Sequence, residues 1–460
     1  MTNAPLLLID VVGLVPSMIG ASTPNLRKLS EGGGMIRLPC PFPAVTCTSQ
    51  ATLLTGTTPD RHGIVANGWH FRELGETWLW RQSHALMQAE DVHTTLKIRK
   101  PELRVARLFL WYAMGAPCDL VATPRPQYKS DGRKLPDVWT SPPELRDELQ
   151  SALGTFPLFN FWGPGADLRS SAWIVDAAKR ILESRRADVV SLYVPHLDYD
   201  LQRFGPDAPE ARRAVADVDR ALGPLLSAAD ALGARVAVWS EYGIERAVDA
   251  VHPNRALRAA GLLSVRDEDG ELLDPIASKA FAVSDHQVAH VYVRDAASRG
   301  RVRDVLRNLE GVERVLEGAE LVAEGLDHPR SGEFVLVAAP GRWFTYYPWL
   351  DDARAPDFAR CVDIHRKPGY DPCELLFDSA HPAPKLGAAW RLFKKTLGFR
   401  TTFDLIGLDA SIVRGTHGRR SPDTGDGPLL LSNVPDPIFD GRPPSVGSFR
   451  EFVLRTAGVG

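Results

Sequence analysis

Residues 42–69, FPAVTCTSQATLLTGTTPDRHGIVANGW, put a hydroxyl where phosphoryl chemistry could use one. Thr46 follows a Pro-containing extended stretch and opens a helix-like run, which breaks at Thr55-Gly56 and Thr58-Pro59. A hydroxyl at a helix start lies beside unpaired N–H groups and the positive end of the helix dipole, a setting that suits an anionic phosphate. Upstream, PLLLIDVVG (5–13) reads as a buried strand ending in Asp10. An acid there is costly unless it is paired or bound to a cation. A threonine hydroxyl is a weak nucleophile and needs a metal ion or a base to ionise. Acid, hydroxyl and cation would thus meet at strand ends, where open α/β sheets hold their sites. Taken singly, Thr46 reads equally as a helix cap and Asp10 as a solvated strand end.

A second polar concentration is VDIHRKPGYDP (362–372). Asp363 and His365 alternate and would share one face of a strand, and Arg366 and Lys367 could hold an anion. A solvated polar loop is the plain alternative. His196 and His286 flank strand ends on the same presumed face, where they could contact substrate. The remaining histidines (62, 70, 84, 93, 252, 290, 328 and 381) read as structural.

These residues need a scaffold that brings strand ends together. Residues 1–70 read as strand, helix (24–31), short strand and the Thr46 helix. After a gap the pattern resumes with an amphipathic helix (168–186), DVVSLYV (188–194), a helix over 207–231 and RVAVWSEYGI (235–244). In the 207–231 helix Ala211, Val215, Val218, Leu222 and Leu225 share one face. Such strand–helix alternation predicts an α/β fold with a mainly parallel central sheet covered by helices on both faces. FAVSDHQVAHVYV (281–293) and EFVLVAA (333–339) read as further strands. Residues 71–165 are rich in Trp, Pro and Arg with poor periodicity, and 340–400 are again irregular and aromatic. Both are expected to be irregular lid insertions in a single domain spanning 1–460. The tail 420–446 reads as a Pro/Gly/Asp-rich loop before a last short helix.

Composition narrows the class. With 44% hydrophobic and 24% charged residues and a net charge of −3, the chain has no overall basic field for nucleic acid or membranes. Its 5 cysteines are odd in number and show no C-x-x-C spacing, which argues against a zinc ribbon or a disulfide framework. No apolar run approaches the ~18 residues of a membrane span, and no basic, apolar and small-residue leader opens the chain, so the expected location is cytoplasmic.

Together, Asp10, the 42–69 segment, VPHLDYDLQRFGP (194–206), WSEYGI (239–244) and RGTHGRR (414–420) resemble the alkaline phosphatase superfamily. They are most similar to its nucleotide pyrophosphatase/phosphodiesterase and phosphonoacetate hydrolase branch. That resemblance implies an alkaline-phosphatase-like fold and two divalent metal ions (zinc, manganese or magnesium). It implies Thr46 as nucleophile and metal ligand, with a phospho-threonine intermediate. Asp10, Asp198, Glu241 and His417 fall on metal-ligand positions, and Ser49 or Gln50 would donate to an equatorial phosphoryl oxygen. The implied partner is a small phosphorylated substrate, a diester more readily than a monoester; oligomeric state is left open.

Two positions depart from the family pattern. Gln202 and Tyr242 stand where imidazoles are usual, and Glu241 carries one more methylene than the usual Asp. Oxygen-rich shells favour Mn²⁺ or Mg²⁺ relative to a nitrogen-rich site. Tyr242 is then at best a donor to phosphate, while His365 with Asp363 could restore an imidazole. The alternative is a degenerate member that binds a phosphorylated metabolite or a protein partner without turnover.

Overall fold

Leu6–Val11 is buried at every position, as a strand covered on both faces must be. We analysed a computed structural model describing residues 4–130, 133–378, 383–397, 402–421, 426–434 and 443–459. The central sheet contains β1 (Leu6–Val11), β2 (Met35–Arg37), β3 (Val105–Leu108), β4 (Leu120–Pro124), β5 (Val138–Ser141), β6 (Val189–Val194), β7 (Arg235–Trp239) and β8 (Leu429–Ser432). Their order is β2-β8-β7-β1-β6-β3-β4-β5. The five strands from β7 to β4 run parallel, whereas β8, β2 and β5 extend the edges through antiparallel pairs.

The helices used below are α1 (Pro24–Gly33), α2 (Thr46–Thr55), α3 (Val92–Arg99), α4 (Leu168–Glu183), α5 (His196–Phe204), α6 (Pro209–Ala231), α7 (Pro384–Thr396) and α8 (Ser448–Thr456); others include Glu144–Leu153 and Arg299–Arg307. α1, α4, α5 and α6 pack together as one layer. α2, α3 and α8 form the opposite layer, and Phe449 of α8 stacks on Trp239 of β7 at 4.7 Å. The expected architecture is therefore present: a mainly parallel sheet between two helical layers.

Three expectations about individual segments need correction. The 71–165 stretch is not wholly an insertion, because β3, β4 and β5 come from it and complete one side of the central sheet. They are short and interrupted by Pro- and Trp-rich turns, which hid their periodicity. Within the 420–446 tail, Leu429–Ser432 is a strand between β7 and β2; residues 422–425 and 435–442 of that tail lie outside the described set. Four residues are too few to declare a period. Finally, residues 281–293 form a hairpin of two strands, Ala280–Asp285 and Val288–Val293. The hairpin belongs to a separate four-stranded antiparallel sheet with Val312–Leu316 and Phe334–Ala338. Its two-residue turn puts His286 at φ 55°, a left-handed conformation uncommon outside glycine.

Candidate active site

The loops leaving the carboxyl ends of β1, β3, β6 and β7 converge. β1 ends on Asp10; β3 leads to Trp111; β6 leads into α5 with Asp198; β7 leads to Glu241 and Tyr242. α2 arrives with Thr46 as its first residue. Val45, which precedes it, is extended (φ −126°, ψ 150°) and gives no side-chain cap. The Cys47 N–H is instead taken by Asn67 Oδ1 at 2.9 Å. Asn67 donates from its backbone and its side chain to Asp285, at 2.7 and 3.0 Å. The second sheet is thereby tied to the start of α2.

The Thr46 hydroxyl lies 2.7 Å from the Tyr242 hydroxyl. One turn along α2, the Gln50 amide nitrogen donates to Asp10 Oδ2 at 3.0 Å and to Glu241 Oε1 at 2.9 Å. The Trp111 N–H donates to Gln50 Oε1 at 2.8 Å. This last bond fixes which way the amide points, with its NH₂ group bridging the two carboxyls. Asp10 Oδ1 and Glu241 Oε2 are buried without a hydrogen bond.

On the other side of the site, the His417 ring shares a proton with the Ala44 carbonyl at 2.8 Å through Nδ1. A carbonyl can only accept, so Nδ1 carries the hydrogen and Nε2 presents a lone pair. That Nε2 faces Asp198 Oδ1 at 3.7 Å, too far for a hydrogen bond, and both atoms are buried without a partner. The loop can turn so sharply because Gly418 has φ +127°, where a Cβ would come 2.9 Å from the Gln287 nitrogen. His417 stacks on Tyr242 at 3.9 Å and lies 3.6 Å from His286, which stacks on Tyr370 at 3.7 Å. The Tyr370 hydroxyl donates to Gln202 Oε1 at 3.0 Å.

Burial dominates the electrostatics. It pushes Asp10 and Glu241 well above the usual carboxylate range; the Asp10 charge raises Glu241 further, while Gln50 opposes both shifts. Asp198 is pushed up to about 7 by burial, with Gln202 opposing. Burial also lowers His417 to about 3, so the His417–Asp198 pair is not a charged ion pair at neutral pH. Tyr242 is raised by burial and by the Asp198 and Glu241 charges, which keeps the phenol protonated.

The structure therefore brings together Asp10, Thr46, Gln50, Asp198, Gln202, Glu241, Tyr242, His286 and His417. Several expected contributors lie elsewhere or are otherwise engaged. His365 faces the Leu79 backbone, Arg81 and Lys134. Asp363 sits 3.8 Å from Lys134 and 4.0 Å from Arg366. Lys367 is buried against Asp371 and Glu374 at 2.7 and 2.8 Å, and Arg366 pairs with Asp357 at 3.1 Å, so this loop uses its own cations. His196 has Asp200, Asp217 and Asp167 as its charged neighbours, not the site carboxyls. Gln50 is fully engaged, whereas the buried Ser49 hydroxyl makes no hydrogen bond. His381 lies outside the described residues. Sequence reading missed Asn67, Trp111, Asp285 and Tyr370. Asn67, Asp285 and Tyr370 stood inside the 42–69, 281–293 and 362–372 segments, which were read for other residues; Trp111 carried no local signal.

A model matching the type I phosphodiesterase/nucleotide pyrophosphatase family covers residues 6–371. The chain belongs to that family. Among curated relatives, an uncharacterized pyrophosphatase/phosphodiesterase of Schizosaccharomyces pombe is 25% identical over 212 residues, 44% of this chain and 36% of that protein's length. The chain thus matches only about a third of that relative's length. Among solved structures, Sinorhizobium meliloti phosphonoacetate hydrolase with phosphonoformate superposes with a TM-score of 0.62 at 17% identity, over 99% of this chain and 96% of the other. Murine ectonucleotide pyrophosphatase/phosphodiesterase 5, in an inactive threonine-to-alanine form with AMP, superposes at 0.58 with 12% identity, over 100% and 96%. At such identities these two establish the shared fold.

The family resemblance implies metal ions, and the donor set of this site decides which kind it could hold. Three carboxyls are buried in this site, and burial, not a Lys or Arg charge, dominates the shift of each. Four donor atoms (Asp10 Oδ1, Glu241 Oε2, Asp198 Oδ1 and His417 Nε2) are buried without partners. That set fits a hard, oxygen-preferring cation. It does not fit a histidine-rich pair of zinc sites. Among the described residues, no three His, Cys, Asp or Glu side chains converge as a metal cluster. Tyr242 and Gln202 are instead engaged with Thr46 and Tyr370.

Proposed function

We propose that this phosphoester hydrolase uses Thr46 as its nucleophile and a divalent cation of oxygen preference, and acts on a small phosphodiester. The observation that carries the reading is the Thr46 hydroxyl at the first position of α2, 2.7 Å from Tyr242, in a site with three buried carboxyl groups. Asp198 and His417 would offer ligands on one side of the site and Asp10 and Glu241 on the other; a cation bound at either pair would supply Lewis-acid stabilisation of phosphoryl charge. Thr46 attacks phosphorus and displaces one ester group, which leaves as its alcohol with the proton lost from the threonine hydroxyl; the phospho-threonine keeps the other ester group, and water then cleaves it to a phosphomonoester and free Thr46. Tyr242 orients the Thr46 oxygen, and the unpaired Ser49 hydroxyl is free to donate to an equatorial oxygen. His286 presents Nδ1 without a hydrogen bond, suited to a phosphoryl oxygen. Trp80 and Trp162 approach Tyr370 at 6.0 and 5.7 Å, so aromatic groups from the 71–165 segment would select the leaving group.

A murine structure of the same fold is of an inactive threonine-to-alanine form with AMP, which makes AMP a ligand to try here. Turnover of bis-p-nitrophenyl phosphate and p-nitrophenyl phosphate tests the reading. The wild type should favour the diester, and Thr46→Ala should abolish both activities. A second reading, phosphometabolite binding without turnover, draws on the Gln50 amide bridging Asp10 and Glu241. Tight AMP binding by calorimetry with no hydrolysis of either ester at any metal concentration would favour it.

A further inference from the structure

Helix α7 presents its apolar stripe outward. Leu386, Trp390, Phe393 and Leu397 recur at helical spacing and are 73%, 56%, 51% and 59% exposed. Trp390 and Phe393 stack at 5.6 Å, so the stripe is continuous across a turn. Arg391 turns the other way: its side chain is 17% exposed and bonds Asp404 at 2.7 Å. An ordinary surface helix buries its apolar stripe; α7 leaves these four side chains exposed. A continuous outward stripe of Leu, Trp and Phe marks a surface that meets something apolar.

The charge of the segment identifies the occupant. Residues 384–397 hold Lys385, Arg391, Lys394 and Lys395 and no acid, in a chain whose net charge is −3. Lys394 borders the stripe, its ammonium 5.4 Å from the Trp390 ring. Trp, Phe and Leu beside lysine is the composition of helices that lie in the headgroup layer of anionic bilayers. No helix among the described residues is long and apolar enough to cross a membrane, so the contact would be peripheral.

We propose that α7 docks the enzyme on an anionic membrane surface, with Leu386, Trp390, Phe393 and Leu397 entering the acyl boundary and Lys394 meeting lipid phosphates. The inference does not depend on the catalytic reading, because α7 contributes no residue to the site.

Flotation of the full chain with vesicles tests it. Vesicles of phosphatidylcholine and phosphatidylglycerol in equal parts should carry the protein at low salt and release it at high salt, while pure phosphatidylcholine should carry little. The double variant Trp390→Glu/Leu397→Glu should weaken binding at least ~10-fold, since each side chain removed from lipid forfeits on that order. Lys394→Glu should lower binding to anionic vesicles alone. Unchanged circular dichroism and ester turnover in each variant keep a binding loss attributable to the surface. Three outcomes would overturn the proposal: wild-type protein that floats with neither vesicle, equal binding to both, or a wild-type dimer in sedimentation that the double variant converts to monomer. The dimer result would assign the stripe to a second copy of the chain.

Discussion

The two halves of the site are built from similar residue types yet leave different groups unengaged. Around Thr46, side chains answer one another: Thr46 with Tyr242, and Asp10 and Glu241 through Gln50. Around His417, the facing atoms of Asp198 and His417 stand 3.7 Å apart with no hydrogen bond between them. The first half is held in shape by those contacts, as a preorganised nucleophile requires, although Asp10 Oδ1 and Glu241 Oε2 stay unpaired there too. In the second half, leaving a buried carboxylate oxygen and an imidazole lone pair unpaired is costly without a ligand. Cation binding should therefore depend most on the second half, and chemistry and stability most on the first.

The largest expected effect is on chemistry. Thr46→Ala should lower kcat by at least ~10³-fold while Thr46→Ser keeps part of it. Near-normal turnover of pure Thr46→Ala would remove the nucleophile assignment and leave the first half merely structural. Next comes the cation. Chelated enzyme should regain more activity with Mn²⁺ or Mg²⁺ than with Zn²⁺, and His417→Ala should weaken bound metal by at least the ~10–100-fold typical of losing even a supporting residue. Mass spectrometry of dialysed protein measures this directly. Two tightly held zinc ions surviving His417→Ala would reverse the contrast between the halves.

A smaller effect concerns Gln50. Gln50→Ala leaves the Trp111 N–H and two carboxyl oxygens without their partner. Destabilisation of about 1–3 kcal/mol should follow, read as a lower denaturation midpoint. A neutral result would mean that water replaces the amide and that the first half is not self-supporting.

A further effect is the pH dependence from Asp198. Its carboxyl, raised to about 7 in the folded chain, binds a proton that the unfolded chain has already released at lower pH. Its contribution to stability is thus fully present below the ordinary carboxylate range and lost as pH rises through about 7. In metal-free protein, Asp198→Asn should flatten that decline in melting temperature. An unchanged slope would assign the decline to Asp10, Glu241 or Asp285, the last also raised to about 7.

Sequence reading carried furthest where a residue follows a long apolar strand. Asp10 is the first polar group after such a run, Asp198 and Glu241 follow their strands by a few residues in segments that carry the family resemblance, and the helical periods around them placed those runs in one parallel sheet. Local repetition suffices there, because a strand buried on both faces writes its burial into consecutive residues. It failed for β3, β4, β5 and β8, which are too short to repeat, and for 281–293, where two strands read as one run.

The amino-acid order by itself determined the α/β alternation, the family and the short list of acids, hydroxyls and imidazoles at strand ends. Tertiary structure alone decided how they are used. The Gln50–Glu241 bond joins residues 191 apart, and the Thr46–Tyr242 contact joins residues 196 apart. It also chose His286 over His365 as the additional imidazole beside His417, and it turned the stripe of α7 outward. Periodicity says that a helix has an apolar face or that a loop has a histidine. The direction each points depends on what folds against it, and that is set by contacts from distant parts of the chain.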